Sequence, residues 1–125
     1  MNLISLKGYK KIYSIDSFWD DYKKLFGKDT HSYQKEKETL LTNLHILDDQ
    51  PLIESLKMRS RFERLSNEEL YAIRHVSKTN PRVIFVTNDE DGNFILLNSF
   101  LEKSREDYEI AKDRAKGILK ILEEV

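Results

Sequence analysis

The sequence has no cysteine, only four glycines and two prolines, and a net charge of just −1 over its 125 residues. Without cysteine the chain has neither disulfides nor thiolate metal ligands. So few glycines leave little material for a glycine-rich phosphate loop. No stretch approaches the roughly 18 consecutive apolar residues that a transmembrane helix needs. The N-terminal residues lack the apolar core and cleavage site of a secretory signal, so the sequence predicts a cytoplasmic protein that does not associate with a membrane.

Recognisable catalytic and metal-binding motifs are also missing. The three histidines, His31, His45 and His75, are far apart and match no metal-ligand spacing. No nucleophile-elbow motif is present. We therefore expect neither a metal nor a cofactor, and the remaining possibilities are metal-free chemistry or plain binding.

The charged residues are unevenly distributed along the chain. Residues 57–82 carry seven Lys/Arg and three Glu, a net charge of +4, whereas residues 83–125 carry six Lys/Arg and ten acidic residues, a net charge of −4. A basic middle in a nearly neutral chain indicates a local anion-binding face. A solvated basic edge without a ligand is the alternative interpretation.

The length and the apolar content of 39% fit a single domain over residues 1–125, with enough core to fold without covalent staples. Bulky residues predict a short strand over Tyr9–Ile15, with Tyr13 and Ile15 on one face and Ile12 on the other. Aromatic residues at helical spacing then predict a first helix, which begins after a cap at Asp16 or Ser17.

A second helix is predicted from about Tyr33 to Leu47, because leucines recur there at helical spacing. The two helices are joined by a short loop and are interpreted as a helical hairpin. Residues 52–65 fit a helical turn or an extended segment, and the pattern does not decide between them. The apolar stripe in Arg105–Val125 predicts a C-terminal helix.

Between these helical regions the sequence predicts a three-stranded antiparallel meander. The three strands are Leu70–Val76, Arg82–Thr87 and Asn93–Phe100. The connections are the short polar segments Ser77–Pro81 and Asn88–Gly92, and the second ends in Asp-Gly, a strong hairpin signal. Short connections imply antiparallel neighbours.

Two arginines flank the first connection of this meander. Arg74 closes one strand and Arg82 opens the next, so both are predicted at the same end of the hairpin, with Lys78 in the loop between them. Two guanidinium groups there are suited to hold a phosphate through bidentate, charge-assisted hydrogen bonds. The alternative is that they form salt bridges to Glu68 or Glu69.

These residues also carry a resemblance to a known family. Its motifs stand in the order Leu70-Tyr71-Ala72-Ile73-Arg74, Arg82-Val83-Ile84-Phe85, Ile95 to Ser104, and Ala111 with Arg114, preceded by Arg64-Leu65. By their order and spacing they resemble the RelE/ParE superfamily of type II toxins, particularly its HigB-like branch. The resemblance implies a RelE-like α+β fold, in which an N-terminal strand and a helical hairpin pack on an antiparallel sheet that is followed by a C-terminal helix.

Such toxins enter the ribosomal A site, cut mRNA without a metal ion and are neutralised by a cognate antitoxin. The resemblance therefore implies a ribosome-dependent endoribonuclease with the ribosome, mRNA and an antitoxin as partners, the last in a toxin–antitoxin hetero-oligomer. By position, Arg74 and Arg82 would hold the phosphate in the transition state, and Lys103 would supply charge or a proton. The residues expected to contact RNA around them are Arg61, Arg64, Lys78 and, by stacking on a base, Tyr71.

Two positions depart from the family pattern. Asn98 stands where the family often has histidine, and an amide cannot act as a general acid or base. Glu102 replaces one of two paired lysines and so removes positive charge near the predicted site. Two alternatives on the same scaffold therefore stay open, a ParE-type DNA gyrase poison and a non-catalytic interaction protein.

Overall fold

The computed structural model describes residues 2–65, 69–88 and 92–123. In these residues the chain forms an α+β fold. The strands are β1 (Leu3–Ser5), β2 (Ile12–Ile15), β3 (Phe62–Arg64), β4 (Tyr71–Arg74), β5 (Pro81–Asn88) and β6 (Asn93–Leu101). The helices are α1 (Phe18–Lys24), α2 (Thr30–Asp49), α3 (Leu52–Leu56) and α4 (Arg105–Glu123). None of the described helices has the length and apolar character needed to cross a bilayer.

The strands form one mixed sheet in the order β1-β2-β6-β5-β4-β3. The predicted antiparallel meander is confirmed as β4, β5 and β6, and only the β2–β6 pair is parallel among the described strands. The first meander strand ends at Arg74, two residues before the predicted end. The predicted Asp91-Gly92 turn is described only in part: Asp91 lies outside the described residues, and Gly92 has a φ of +67° that suits glycine.

Helices cover both faces of this sheet. Val83 lines a small cavity with Tyr22 of α1 and Leu40 of α2, whereas Arg82 bonds to Tyr108 of α4. Successive strand residues point to opposite faces, so α1 and α2 lie on one face and α4 lies on the other. This double cover explains why six consecutive residues of β5, Pro81–Val86, are all buried.

The core confirms the aromatic and leucine stripes as packing surfaces. Phe18 and Tyr22 of α1 are each only 1% exposed, and Leu44 and Leu47 of α2 are fully buried. The predicted hairpin of α1 and α2 is held by ring contacts, including Tyr22 with Tyr33 at a centroid separation of 6.3 Å. Burying each of these large side chains contributes roughly 1.5–3 kcal/mol to folding.

Several boundaries and faces differ from the sequence predictions. The second helix begins at Thr30 instead of about Tyr33, because the Asp29 carboxylate accepts the N–H of Ser32 at 3.0 Å and caps the helix there. Ser17 precedes α1 as predicted but forms no capping bond with its side chain. The first predicted strand is shorter than expected, since β2 begins at Ile12 instead of Tyr9, and residues on both of its faces, Ile12, Ser14 and Ile15, are buried.

The segment that the sequence left undecided contains both kinds of structure. Leu52–Leu56 forms the short helix α3, and Phe62–Arg64 forms β3, an edge strand paired with β4. The predicted C-terminal helix begins at Arg105, where the Asp107 carboxylate accepts the N–H groups of Lys103 and Ser104 at 2.7 and 2.8 Å. These bonds hold the pKa of Asp107 below its ordinary value.

Helix α2 also carries buried polar side chains, and each ties down a different segment of the chain. The Glu36 carboxylate lies 2.7 Å from Nδ1 of His75, just after β4. Asn43 accepts a bond of 2.6 Å from the Arg61 guanidinium, just before β3. Asp48 accepts the backbone N–H groups of residues 10 and 11 at 2.7–3.1 Å, just before β2. One helix therefore fixes the chain next to the ends of three strands.

The Asp48 contact predicts a difference between neighbouring residues. Replacing Asp48 with Asn should lower the free energy of unfolding by about 1–2 kcal/mol, because the partly buried N–H groups of residues 10 and 11 lose a charged acceptor and an NH2 donor takes the place of one carboxylate oxygen. Asp49→Asn, the same change at an exposed position of the same helix, should alter it by less than about 0.5 kcal/mol. Urea unfolding followed by circular dichroism measures both values, and equal effects would contradict a specific role for the Asp48 contact.

Candidate nucleic-acid interface

Arg74 and Arg82 lie directly opposite each other where β4 and β5 pair. The prediction that both lie at one end of the hairpin is therefore confirmed. Directly opposed residues of an antiparallel pair project from the same face, and here it is the face that α4 covers. Their surroundings nevertheless differ, since the Arg82 side chain is 3% exposed and the Arg74 side chain 31%.

The Arg82 guanidinium is bonded within the protein on every side. Its Nε donates to the Tyr108 hydroxyl at 3.2 Å, and Nη1 donates to the carbonyls of Pro81 at 3.0 Å and His75 at 3.3 Å. Its Nη2 lies 2.7 Å from a carboxylate oxygen of Glu102. Charged groups are buried only when they are paired in this way. Arg82 is thus held from β5, from the end of β6 and from α4 at once.

Arg74 is held more loosely, beside a carboxylate. Its Nη1 lies 3.6 Å from Oε2 of Glu63 on β3, and its buried Nε has no hydrogen-bond partner among the described residues. The Tyr108 hydroxyl donates a short hydrogen bond to the other oxygen of Glu63. Since Tyr108 also accepts from Arg82, one hydroxyl connects the two arginines through Glu63.

The Tyr108 hydroxyl keeps its proton at neutral pH. Partial burial and the hydrogen bond to Glu63 raise its pKa well above the ordinary value, and the neighbouring Arg82 offsets only part of that rise. Among the described residues the ion-pair partners of the two arginines are Glu63 and Glu102, not the predicted Glu69. Glu68 itself lies outside the described residues.

Three adjoining grooves open around Arg74 and Glu63. Their volumes are 320, 250 and 250 Å³, and two of them share Arg74 while two share Glu63 and Arg64. The basic residues that line them are Arg59, Arg61, Arg64, Arg74, Arg105 and Lys112. Arg59, Arg64 and Arg105 are exposed to solvent. The grooves bring basic side chains from β3, β4 and α4 together, and such a surface attracts a polyanion.

Of the other residues predicted to contact RNA, two line the grooves, whereas Lys78 and Tyr71 are not among the residues that line them. Arg61 and Arg64 line the grooves beside Arg74, although Arg61 is half-buried and donates to Asn43. Lys78 is exposed and lies close enough to Asp29 at the start of α2 to help lower the pKa of that carboxyl, after its bonds from Ser32. Tyr71 is half-buried with its ring stacked on Phe85 at 5.5 Å.

Lys103 and Asn98 also have defined places in the structure. The side chain of Lys103 is exposed just before α4. Asn98 is 5% exposed, and its amide donates to the carbonyl of Ala111 at 3.1 Å, while its oxygen has no partner among the described residues. Asn98 therefore joins β6 to α4. His75 follows the end of β4, and its Nδ1 lies 2.7 Å from Oε2 of Glu36 on α2.

Sequence reasoning missed Glu63 and Tyr108 and placed Glu102 only as a departure from a pattern. The helical spacing of Tyr108 places it in the apolar stripe of the last helix, and Glu63 lies in the segment 52–65, whose pattern does not decide between helix and strand. The one usable signal was the alternation of Arg59, Arg61 and Glu63 in an extended pattern. Across residues 2–65, 69–88 and 92–123, no group of three or more potential ligands is arranged to hold a metal ion.

No protein-family model matches this chain, and no curated protein matches it either. The fold and the grooves define an α+β protein with a basic concave surface at one end of a mixed sheet. This surface can bind an anion through its arginines, next to the Glu63 carboxylate and the Tyr108 hydroxyl.

The two opposed arginines predict very different costs of removal. Arg82→Met should lower the free energy of unfolding by roughly 3–5 kcal/mol, because it strands buried carbonyls and Glu102 without their donor. Arg74→Met should cost less than about 1 kcal/mol, because its ion pair is long and partly exposed. Urea unfolding of both variants compares the same substitution at paired positions, and similar costs would contradict the buried network.

Proposed function

We propose that this protein is a RelE-like toxin that cuts mRNA on the ribosome without a metal ion. The observation that carries the proposal is the half-exposed pair of Arg74 and Glu63 where the basic grooves meet. The order of elements supports it too, since a strand, two helices, a three-stranded meander and a C-terminal helix follow one another as the resemblance implies. Strands β1 and β3 and helix α3 are additions to that order.

The proposed reaction uses groups of this chain only. The ribose 2′-hydroxyl attacks the adjacent phosphorus, its proton passes to the Glu63 carboxylate, and the bond from phosphorus to the 5′-oxygen breaks. Arg74 stabilises the extra negative charge that the phosphate carries in the transition state. The departing 5′-oxygen takes up a proton, a role that the resemblance implies for Lys103. The products are a 2′,3′-cyclic phosphate and a 5′-hydroxyl end.

The grooves suggest that RNA is held mainly by its backbone. Their exposed basic groups reach phosphates, whereas the ring of Tyr71 is already stacked on Phe85 and that of Tyr108 lies against Phe100 at 5.0 Å. Contacts to phosphates position a nucleic acid but carry no sequence information directly. Codon preference, if present, would then come from the ribosome-bound geometry of the mRNA.

The activity is tested by induced expression without an antitoxin. Wild type should arrest growth and translation, and mapping of 5′ ends should show new cuts in ribosome-bound mRNA. Arg74→Ala and Glu63→Gln should each lower cleavage about 10²-fold or more, as the loss of a transition-state cation or a general base does. Lys120→Ala, an exposed change near the far end of α4, should leave cleavage unchanged.

Two outcomes would redirect the assignment. Full toxicity of both Arg74→Ala and Glu63→Gln, with both proteins folded, would remove these residues from the active site. Growth arrest with a DNA-damage response and intact mRNA would instead indicate the gyrase-poison alternative on the same fold.

Backbone recognition predicts a measurable salt dependence. The affinity for a single-stranded RNA oligonucleotide should fall linearly with the logarithm of salt concentration, and Arg64→Ala should reduce that slope by roughly 0.7. Fluorescence anisotropy across a salt series measures the slope. Lys120→Ala provides the control, and a slope unchanged by Arg64→Ala would exclude Arg64 from the RNA path.

A non-catalytic interaction protein is the second candidate, and one observation favours it. Arg82 and Asn98, which hold motif positions of the resemblance, are both buried and bonded to the protein itself. Harmless overexpression with no cuts in ribosome-bound mRNA would support this candidate over cleavage.

A further inference from the structure

We infer that Arg82 is a covered oxyanion site, and that the Glu102 carboxylate is an internal anion which RNA phosphate must displace to reach it. This inference rests on the proposed function, because it describes how the proposed site would be regulated. It also makes a claim of its own, namely that Glu102 weakens the binding of phosphate to this protein.

The first support is the geometry of the pair. A carboxylate oxygen of Glu102 lies 2.7 Å from Nη2 of Arg82, the distance of a charge-assisted hydrogen bond. A phosphate oxygen bonds to a guanidinium in the same planar geometry as a carboxylate oxygen. Glu102 thus occupies the position that an anionic ligand of Arg82 would take.

The second support is the contrast between the groups that accept hydrogen bonds from Arg82. Its Nη1 donates to two backbone carbonyls and its Nε donates to the Tyr108 hydroxyl, so these bonds fix the guanidinium to the protein. Glu102 is the exception, since its side chain is 29% exposed while that of Arg82 is 3% exposed. Of this ion pair, Glu102 is therefore the partner that solvent reaches, and Arg82 lies beneath it.

The third support is that Glu102 can leave without unfolding its surroundings. It follows the end of β6, and its backbone N–H donates to the carbonyl of Asn80 at 3.0 Å. That bond anchors the main chain and leaves the side chain free to rotate about its own single bonds. Rotation toward solvent would expose Nη2 of Arg82 on the same sheet face as Arg74, which lies directly across from it.

The consequence is a competition within one site. If phosphate binds only the form in which Glu102 has turned away, the apparent affinity is the intrinsic affinity reduced by the fraction of that form. A flexible polyanion with several phosphates can anchor on the exposed grooves first and then displace Glu102 locally. Inorganic phosphate lacks that anchorage and should bind the wild type poorly.

The test compares two substitutions with the same change of charge. Glu102→Gln should raise the affinity for a single-stranded RNA oligonucleotide roughly 5- to 150-fold, the usual range for a coupling between competing contacts. It should also create thermal stabilisation by millimolar inorganic phosphate that the wild type lacks. Glu106→Gln, an exposed acid in the first turn of α4, should change both far less. Equal effects of the two substitutions would overturn the inference, because net charge alone would explain them.

A measurement on the wild type keeps the inference testable if Glu102→Gln fails to fold. The carbon-13 resonance of the Glu102 side-chain carboxylate should shift as RNA is added to saturation, because the carboxylate loses its bond to Arg82. An unchanged resonance at saturation would overturn the inference.

Failure of the proposed function can be told apart from failure of this inference. Absence of mRNA cleavage by every variant, together with the gain in phosphate binding by Glu102→Gln, would defeat the toxin proposal and uphold the covered site. Cleavage that depends on Arg74, with no difference between the two Gln variants, would do the opposite.

Discussion

The hydrogen bonds of the buried Arg82 guanidinium hold together the end of the sheet where β4, β5 and β6 meet α4. A charge that has lost its water must find partners in fixed directions, and here those partners come from separate parts of the chain. The Pro81 and His75 carbonyls bind it from the first meander connection, Glu102 from the end of β6 and Tyr108 from α4. These bonds fix the position of α4 relative to β5, the first meander connection and the end of β6.

Helix α2 serves the opposite face of the sheet in a comparable way. Its buried Glu36, Asn43 and Asp48 reach the chain near β4, β3 and β2. Both faces are thus organised by a few polar contacts set among apolar packing. Strand β3 lies at the edge of the sheet, where the basic groups of Arg59 and Arg64 are exposed to solvent.

Local patterns predicted the meander, because its strands are bounded by short connections and their neighbours are adjacent in sequence. They failed where structure depends on distant contacts. Strand β1 is exposed throughout and, among the described strands, pairs with β2 alone, so it carries no burial pattern to detect. That Arg74 and Arg82 lie at the same end of the hairpin followed from their places at the end of one predicted strand and the start of the next, whereas their different burial did not. The burial of Arg82 depends on where α4 lies, and no spacing in the sequence specifies that Tyr108 and Glu102 converge on it.

The parallel pairing of β2 with β6 has a consequence for how the protein forms. Ile12 pairs with Phe94, so the β2–β6 pair joins two segments that are far apart in the sequence. Contacts of such sequence separation slow folding, because a long loop must close before they contribute. A chain emerging from the ribosome therefore contains α1 before β6, the strand that α1 contacts, has been synthesised. The basic groove is completed later still, because α4 follows β6. A nascent chain would thus acquire its proposed activity only after α4 has been synthesised.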